Sequence, residues 1–295
     1  ISYLGNQWVL VGIDDFSNWT ETHCLRYKDD NVLGLERWIC QNGKPVSVRT
    51  DNENAFKGAE SRWFRFCIDK GIRPEFPAPY SPQQNGLVER FMRTLADNLR
   101  ALMHGVDPKL WDWGCRFVSY IYNRLERKYG KTTPYKRKFK RDASLTHVRR
   151  FGCIAYIKIP KPVGKLSDRF QKGVFLGFSS LNSSYVIGVW RSHKGKERLC
   201  TLETRHAKFH ESILVANVLQ LRSGVVAQDH DPVVPVDVLD GSTNPKTKLD
   251  LGAEWDYSPP DVHNDKGPEV SDEPVEKVIF ELPEDGSVPG AGTDG

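Results

Sequence analysis

The 295-residue sequence lacks long apolar runs, paired cysteines and any zinc-type grouping of cysteine with histidine. A membrane-spanning helix needs roughly 18 to 20 consecutive apolar residues, so the sequence predicts no membrane association. The six cysteines are widely spaced, no Cys-x-x-Cys pair accompanies the eight histidines, and no secretory leader precedes them. These absences favour a reducing intracellular compartment and argue against zinc binding in this stretch of chain.

Charge is divided unevenly along the sequence, although the formal net charge is only +4. Residues 1–220 hold 37 bases and 21 acids, whereas residues 221–295 hold 5 bases and 17 acids. A basic body of this kind is typical of nucleic-acid partners. The acidic segment also carries half of the 18 prolines, and its low apolar density predicts a disordered linker over residues 213–295.

The remaining pattern predicts an α/β core followed by a small all-β module. The short apolar run Trp8–Ile13 indicates a strand, as does Val46–Thr50, which stops at Asp51-Asn52, and the strands alternate with helical stretches. Two longer amphipathic helices begin near Pro82 and Pro108. We therefore expect a core at 1–130, a basic linker at 131–150 and a β-barrel module at 151–212, in which one strand is predicted over Arg198–Phe209.

Two carboxylates are candidates for chemistry. Asp51 directly follows a predicted strand, and Glu89 lies 38 positions later on a predicted helix. Taken singly, each is more commonly structural, as an Asp-Asn turn or a solvated helix residue. Together, with a loop rich in proline, glutamine and glycine between them, they form a set that can converge on Mg²⁺ beside a phosphate.

Basic residues supply the candidates for DNA contact. Arg93 lies one helical turn beyond Glu89, and Arg100 lies two turns further on; each is equally consistent with a solvated arginine. A denser cluster of five bases around one phenylalanine is suited to phosphate contacts, or equally to a nuclear-import signal. The five are Lys136, Arg137, Lys138, Lys140 and Arg141. We expect Trp111, Trp113 and Phe117 to be core residues.

Several longer motifs carry a family resemblance. They are Val11-Gly-Ile-Asp-Asp-Phe-Ser17, Val48-Arg-Thr-Asp-Asn52, Tyr80-Ser-Pro-Gln-Gln-Asn-Gly-Leu-Val-Glu-Arg90, Phe151-Gly-Cys-Ile-Ala-Tyr156 and Gly173-Val-Phe-Leu-Gly-Phe178. In this order they resemble the integrase region of copia-type long-terminal-repeat retrotransposon polyproteins, over roughly residues 1–212.

The resemblance implies a ribonuclease-H-like core in which two aspartates and one glutamate bind Mg²⁺, with Mn²⁺ as a substitute. Asp51 matches the second aspartate and Glu89 the glutamate. The family's first aspartate lies on a strand that precedes the motifs found here, so we expect the first central strand to be missing. Asp14 and Asp15 match the end of the following strand and are not its equivalents.

The same resemblance implies further partners and site residues. The loop near the site is Gln83, Gln84, Asn85 and Gly86. The implied partner is double-stranded DNA, both element ends and target, bound by a homo-oligomer that functions in the nucleus. The module after residue 151 corresponds to a small SH3-like barrel. Glu53 stands where the family usually has glycine, which adds negative charge near the site.

Three functional hypotheses follow. The first is a fragment of an integrase, a polynucleotidyl transferase that processes 3′ ends and transfers strands. The second is a catalytically inactive nucleic-acid-binding remnant, because one of the three carboxylates is expected to be absent. The third is a ribonuclease-H-like nuclease without strand transfer, which the Gln-Gln-Asn-Gly loop and the trailing β module disfavour.

Overall fold

The computed structural model describes residues 1–50, 56, 61–76, 86–126, 132–159, 169–179, 184–193, 196–221 and 277–281. Within these ranges the strands are β1 (Trp8–Asp14), β2 (Thr20–Leu25), β3 (Ser47–Thr50), β4 (Arg73–Glu75), β5 (Cys153–Lys158), β6 (Phe170–Phe178), β7 (Tyr185–His193), β8 (Lys196–Thr204), β9 (Ala207–Leu214) and β10 (Lys277–Glu281). The α-helices there are α1 (Asn31–Asn42), α2 (Arg62–Asp69), α3 (Gly86–Leu102), α4 (Trp111–Tyr122) and α5 (Pro134–Phe139).

The first sheet is mixed and has the strand order β2-β1-β10-β3-β4. β1 pairs antiparallel with both β2 and β10, whereas β10, β3 and β4 run parallel to one another. The carboxyl ends of these three parallel strands therefore lie at one edge of the sheet. The β1–β2 turn lies at the opposite edge, because Asp14 pairs with Val278 near the start of β10.

Helices cover both faces of this sheet because β1 is apolar on both sides. Leu10 packs in one cluster with Trp38 of α1 and Trp63 of α2. Its neighbours Val9 and Val11 belong to the opposite cluster, which contains the buried stripe of α3 and part of α4. Alternation along a strand sends successive side chains to opposite faces, so the result is a three-layer α/β/α core.

Local sequence explains where several helices begin and how closely they pack. The Ser61 hydroxyl accepts a hydrogen bond from the backbone N–H of Phe64 at 3.0 Å and so caps the start of α2. On α1, Gly34 lies directly over β1. A methyl group at this position would overlap the Leu10 side chain, so glycine permits the close approach of helix and strand.

The second sheet is antiparallel throughout, with the order β8-β7-β6-β5-β9. No ladder joins β8 to β9 among the residues that the structure describes. This sheet packs on α4 through Phe117, whose ring lies 5.4 Å from that of Phe151 and 6.0 Å from that of Phe175. The other face of α4 belongs to the first core, through Trp111 and Val118. α4 thus lies between the two sheets.

Most of the predicted architecture is confirmed. The α/β core and the all-β module are both present, and Trp111 and Phe117 are buried as expected. The single strand predicted over Arg198–Phe209 is wrong: it divides into β8 and β9 at a turn in which the backbone N–H of His206 donates to the Thr204 hydroxyl. The predicted basic linker contains the short helix α5.

A further observation concerns residues 213–295, which were expected to be a disordered linker, and the centre of the first sheet, where the family's first strand was expected to be missing. Residues 277–281 form β10 and occupy that central position. The physical reason is a short apolar run, Val278–Phe280, whose middle residue Ile279 is only 2% exposed. In the described part of the chain, no helix has the length and apolar character to cross a membrane.

Candidate carboxylate site and nucleic-acid interface

The candidate carboxylate site begins at the carboxyl edge of the first sheet. β3 is well packed, with Val48 fully buried and Thr50 only 1% exposed, and it ends directly before Asp51. Open α/β sheets place ligands at such strand ends. Asp51 and Glu53 themselves lie outside the described residues, as do Gln83, Gln84 and Asn85 of the predicted loop.

Glu89 lies in the first turn of α3, which begins at Gly86. Its side chain is exposed, and it makes no hydrogen bond or ion pair with any residue that the structure describes. The helix is anchored on either side of it, because Val88 and Phe91 are buried against the first sheet. A carboxylate held on a packed helix and open to solvent is available to a cation, and its negative charge is favourable near a helix N-terminus.

The two arginines predicted on the same face of α3 are exposed, but they differ in their surroundings. Arg100 is paired with Asp97, with 3.0 Å between the guanidinium nitrogen and the carboxylate oxygen. Arg93 makes no ion pair within the described residues and lies one turn from Glu89. Arg93 is therefore the more available of the two for a phosphate close to Glu89.

The Asp14 side chain stabilises the turn between β1 and β2. Its carboxylate accepts hydrogen bonds from the backbone N–H of Ser17, at 2.8 Å, and from the Ser17 hydroxyl. The next residue, Asn18, adopts a left-handed conformation with φ of 60°. These contacts form the tight turn between β1 and β2, and they occupy the carboxylate within the protein.

The basic cluster is organised by α5. Thr133 caps the helix by accepting a hydrogen bond from the backbone N–H of Lys136 at 3.0 Å, and Pro134 occupies the first turn. The helix ends at Phe139, and Lys140 at its C-cap adopts a left-handed conformation with φ of 57°. The cluster therefore presents its bases from a short helix and the turn after it.

Lys138 differs from its neighbours, and the prediction of a phosphate contact for this residue needs correction. Its ammonium group donates a hydrogen bond to the Asn42 side chain and lies 4.6 Å from the centre of the Trp19 ring. Burial lowers the pKa of Lys138 to about 8, an effect opposed by the Glu21 carboxylate. Lys138 is half-buried, and its contacts attach α5 to the core.

A half-buried acidic group, Glu21, completes this attachment point. The Glu21 carboxylate accepts hydrogen bonds from the Trp19 indole N–H at 3.0 Å and from the Asn42 amide at 2.9 Å. Burial raises the pKa of Glu21, although the nearby Lys138 ammonium acts in the opposite direction. Sequence inspection missed this group, since Trp19, Glu21 and Asn42 become neighbours only when β2, α1 and α5 pack together.

The other bases surround an exposed aromatic ring. Phe16, at the tip of the β1–β2 turn, is 55% exposed. The Arg137 guanidinium and the Lys140 ammonium each lie 5.5 Å from the centre of its ring. Lys136 is paired with Asp142, and Arg141 lies near Tyr135. Phe16 was not among the predicted site residues. The sequence feature that could have identified it is an aromatic residue within the polar turn Asp14–Asn18.

This basic surface and Thr50, the last residue of β3, lie at opposite edges of the first sheet. The cluster contacts Trp19, just before β2, and Asn42, at the end of α1 and before β3. The register of the strands places both at the amino edge of β3. Thr50 lies at the carboxyl edge, and the two ends of β3 are about 10 Å apart.

Comparison with known proteins agrees with this geometry. A family model described as "Integrase core domain" matches residues 70–110, the part that contains Glu89, Arg93 and Arg100. The Retrovirus-related Pol polyprotein from transposon TNT 1-94 of Nicotiana tabacum is 26% identical over 217 residues, covering 70% of this chain and 16% of the relative. The corresponding polyprotein from transposon RE1 of Arabidopsis thaliana is 31% identical over 221 residues, covering 72% and 14%.

Among solved structures, the simian T-cell lymphotropic virus intasome, in complex with PP2A regulatory subunit B56 gamma, aligns with a TM-score of 0.39 and 19% identity. The alignment covers 68% of this chain and 72% of that one. The HTLV-2 integrase catalytic core domain in complex with magnesium aligns with a TM-score of 0.37 and 22% identity, covering 44% and 83%.

The order and directions of the strands, with helices on both faces, define a ribonuclease-H-like integrase core followed by an all-β module. More narrowly, the chain belongs to the integrase region of copia-type retrotransposon Pol polyproteins, and the resemblance seen in the sequence motifs is confirmed. The chain spans about a sixth of the length of these curated relatives.

Proposed function

We propose that this chain is the DNA-handling part of a retrotransposon integrase, which trims element ends and joins them to target DNA by Mg²⁺-dependent polynucleotidyl transfer. The observation that carries the proposal is the integrase-core match over residues 70–110, within which Glu89 is an exposed carboxylate at the start of a firmly packed helix. The basic body of residues 1–220 supplies the electrostatic attraction for DNA.

Asp51 and Glu89 are the residues that would hold the divalent metal. Carboxylate oxygens are the donors that Mg²⁺ takes in phosphoryl-transfer sites, and Glu89 is open to solvent, so the described donor fits such an ion. When bound, the metal supplies Lewis-acid stabilisation of the charge that develops on the phosphate oxygens. Arg93, one helical turn from Glu89, would bind an oxygen of the scissile phosphate and neutralise its charge. This contact would hold the phosphate beside the two carboxylates.

In the proposed reaction an oxygen nucleophile attacks phosphorus in line with the leaving oxygen. For end trimming the nucleophile is water, and the phosphodiester bond that breaks releases a 3′ hydroxyl. For strand transfer that 3′ hydroxyl attacks a phosphodiester of the target, and the new bond replaces the one that breaks. Each step consumes one nucleophilic oxygen and releases one alcohol, so no oxidant or external energy source is required.

A strand-transfer assay with matched variants tests the metal-site part of the proposal. Oligonucleotides that mimic the element ends are incubated with the full chain, target DNA and Mg²⁺. We expect Asp51→Asn and Glu89→Gln to lower the rate by roughly 100-fold or more, with DNA binding retained. Asp97→Asn, on the same face of α3 but engaged with Arg100, is the control and keeps its activity.

Two outcomes contradict the proposal. Strand transfer that survives both carboxylate substitutions removes Asp51 and Glu89 from the chemistry. A chain that binds DNA in the presence of Mg²⁺ without any strand transfer corresponds instead to the inactive remnant.

For DNA contact we propose Arg93 and Arg100 together with the surface bases Lys136, Arg137, Lys140 and Arg141. Replacing Arg137 and Lys140 with alanine is expected to weaken DNA binding and to reduce the slope of log affinity against log salt by about 0.9 for each phosphate that is no longer neutralised. Lys138→Met is the matched control and leaves the slope unchanged. Assembly as a homo-oligomer on DNA and action in the nucleus belong to the same proposal.

A further inference from the structure

The tip of the β1–β2 turn displays an aromatic ring on a well-defined support. Phe16 is 55% exposed, although the burial of a phenyl ring is favourable. The turn beneath it is closed by backbone hydrogen bonds: the N–H of Asn18 donates to the Asp14 carbonyl at 2.8 Å, and the N–H of Asp14 donates to the Trp19 carbonyl at 2.9 Å. The Asp14 carboxylate adds its two contacts with Ser17. These bonds hold Phe16 in its exposed position.

Two cations from a distant part of the sequence lie beside this ring. The Arg137 guanidinium and the Lys140 ammonium are each 5.5 Å from the ring centre of Phe16, within the distance at which a cation is attracted to an aromatic face. Asp15, next to Phe16 in the sequence, is also exposed. One acid stands against two bases, so the charge around the ring is positive.

The same packing that attaches α5 to the core keeps these cations beside the turn. The Trp19 ring lies 5.2 Å from that of Phe139, and the Tyr135 ring lies 4.9 Å from that of Phe139. Lys138 adds its hydrogen bond to Asn42. Because Trp19 directly follows the turn that carries Phe16, the ring and the two cations share one support.

A ring flanked by cations fits a ligand with a flat apolar face and negative charge on either side of it. A nucleotide strand has this chemistry, because every base has a π-face and is followed and preceded by a phosphate. In a duplex the faces of the internal bases are covered by their neighbours, so a protruding phenyl ring finds a free face only on an unpaired base. An acidic peptide supplies the charge but not the flat face.

We propose that Phe16, Arg137 and Lys140 form a binding site for an unpaired nucleotide. The base stacks on the Phe16 ring, and the two cations bind the adjoining phosphates. The site lies at the amino edge of β3, opposite Thr50, so the nucleotide bound here is not the one that reacts at the proposed carboxylates. This inference rests on the DNA contact proposed above for Arg137 and Lys140, and it adds a preference for single strands.

Fluorescence anisotropy with the full chain tests the role of the base. The probes are a labelled oligodeoxythymidine of about 12 nucleotides, an abasic strand of the same length and charge, and a duplex of that length. Phe16→Leu is expected to lower the affinity for oligodeoxythymidine by roughly tenfold, because the stacking of a base on the ring is lost. Its affinity for the abasic strand and for the duplex stays unchanged, since both cations remain. Phe16→Trp, which keeps an aromatic face, retains the affinity for oligodeoxythymidine.

The salt dependence of binding separates stacking from charge. Phe16→Leu is expected to keep the slope of log affinity against log salt for the single strand, whereas Arg137→Ala lowers it by about 0.7 for each phosphate that is no longer neutralised. Phe170→Leu, at an exposed phenylalanine of the second sheet, is the matched control and changes neither affinity nor slope. Oligouridine of the same length is expected to show the same loss with Phe16→Leu, and the ratio of the two affinities identifies DNA or RNA as the preferred source of the nucleotide.

Unchanged affinity of Phe16→Leu for oligodeoxythymidine overturns the proposal. An equal loss for the abasic strand or the duplex also overturns it, because the ring then only positions the two cations. Binding of a glutamate-rich peptide with equal sensitivity to Phe16→Leu does the same, since the site then takes acidic segments of proteins. Failure of the integrase function is distinguishable: strand transfer is then insensitive to Glu89→Gln, while the difference between the base-containing and abasic strands stands.

Discussion

The two sheets have five strands each but are connected in opposite ways. In the second sheet β5 to β8 pair in succession, and β9 folds back onto β5, all within residues 153–214. In the first sheet the order β2-β1-β10-β3-β4 draws its central strand from residues 277–281. One sheet depends on local contacts, whereas the other depends on a contact that spans most of the chain.

This difference has consequences for folding and for function. Local hairpins lose little entropy on closing, so the second sheet has the means to form early and independently. In the described first sheet, β10 pairs with β1 and β3, which lie more than 200 residues from it along the sequence. The proposed chemistry belongs to the first sheet, in which β10 pairs with β3, the strand that ends directly before Asp51.

The largest expected effect comes from removing a central side chain of the second sheet. Phe175 is fully buried, and its ring contacts those of Phe117, Phe178 and Phe209. Phe175→Ala is expected to lower the free energy of unfolding by about 3–5 kcal/mol, because the cavity cannot close completely. Phe170→Ala, at a position that is 45% exposed, is the control and changes it by less than about 0.5 kcal/mol.

Hydrogen exchange then decides how separate the sheets are. We expect Phe175→Ala to open the amides of β5 to β9 more than those of β1 and β3. An equal loss of protection in both sheets means that α4, which packs on each of them, couples them into a single cooperative unit. In that case the two sheets unfold together, and the difference in their strand connections does not make one more stable than the other.

The same contrast explains what the sequence could predict. β1 and β3 were predicted at Trp8–Ile13 and Val46–Thr50, within one residue of their observed limits, because each stretch ends at turn residues. The buried stripe of α3 follows from helical periodicity, with Phe91, Leu95 and Leu99 at the expected spacing. Glu89 on its exposed face was therefore predictable as well.

β10 was not predictable from local pattern. Its apolar run has three residues, which is too short to show periodicity, and it lies in a segment whose average composition indicates disorder. Its partners are more than 200 residues away. The role of Lys138 was hidden for a related reason: a dense basic run indicates a solvated surface, and only the packing of Trp19, Glu21 and Asn42 around it shows otherwise.

A smaller effect tests the tight packing of the first sheet. Gly34→Ala forces a methyl group of α1 against Leu10 of β1 and is expected to destabilise the chain by about 1–3 kcal/mol, measured by denaturant unfolding. Gly86→Ala is the control, because a methyl group there meets nothing within 4 Å at the start of α3. Equal stability of the two variants would contradict this expectation. It would mean that α1 can move away from β1 to make room for the methyl group, so that the packing of Gly34 on Leu10 is not tight.

The smallest effect distinguishes the sheets by pH. The pKa of Lys138 falls from 10.5 in the unfolded chain to about 8 in the folded one, so between these values the unfolded chain binds more protons on this side chain. Its contribution to the free energy of unfolding therefore rises with pH, by about 1 kcal/mol between pH 8 and pH 9. Lys138→Met lacks this rise, which is obtained as the difference between the two unfolding curves at each pH.

The location of the change is as informative as its size. Lys138 contacts α1 and the residues around β2, so the difference belongs to amides of the first sheet and not to those of β5 to β9. Identical pH profiles for the unmodified chain and Lys138→Met contradict the buried position of the ammonium group. Lys138 would then be available for phosphate contact, like Arg137 and Lys140. The slope of log affinity against log salt would be expected to fall in Lys138→Met by as much as it falls when Arg137 or Lys140 is replaced with alanine.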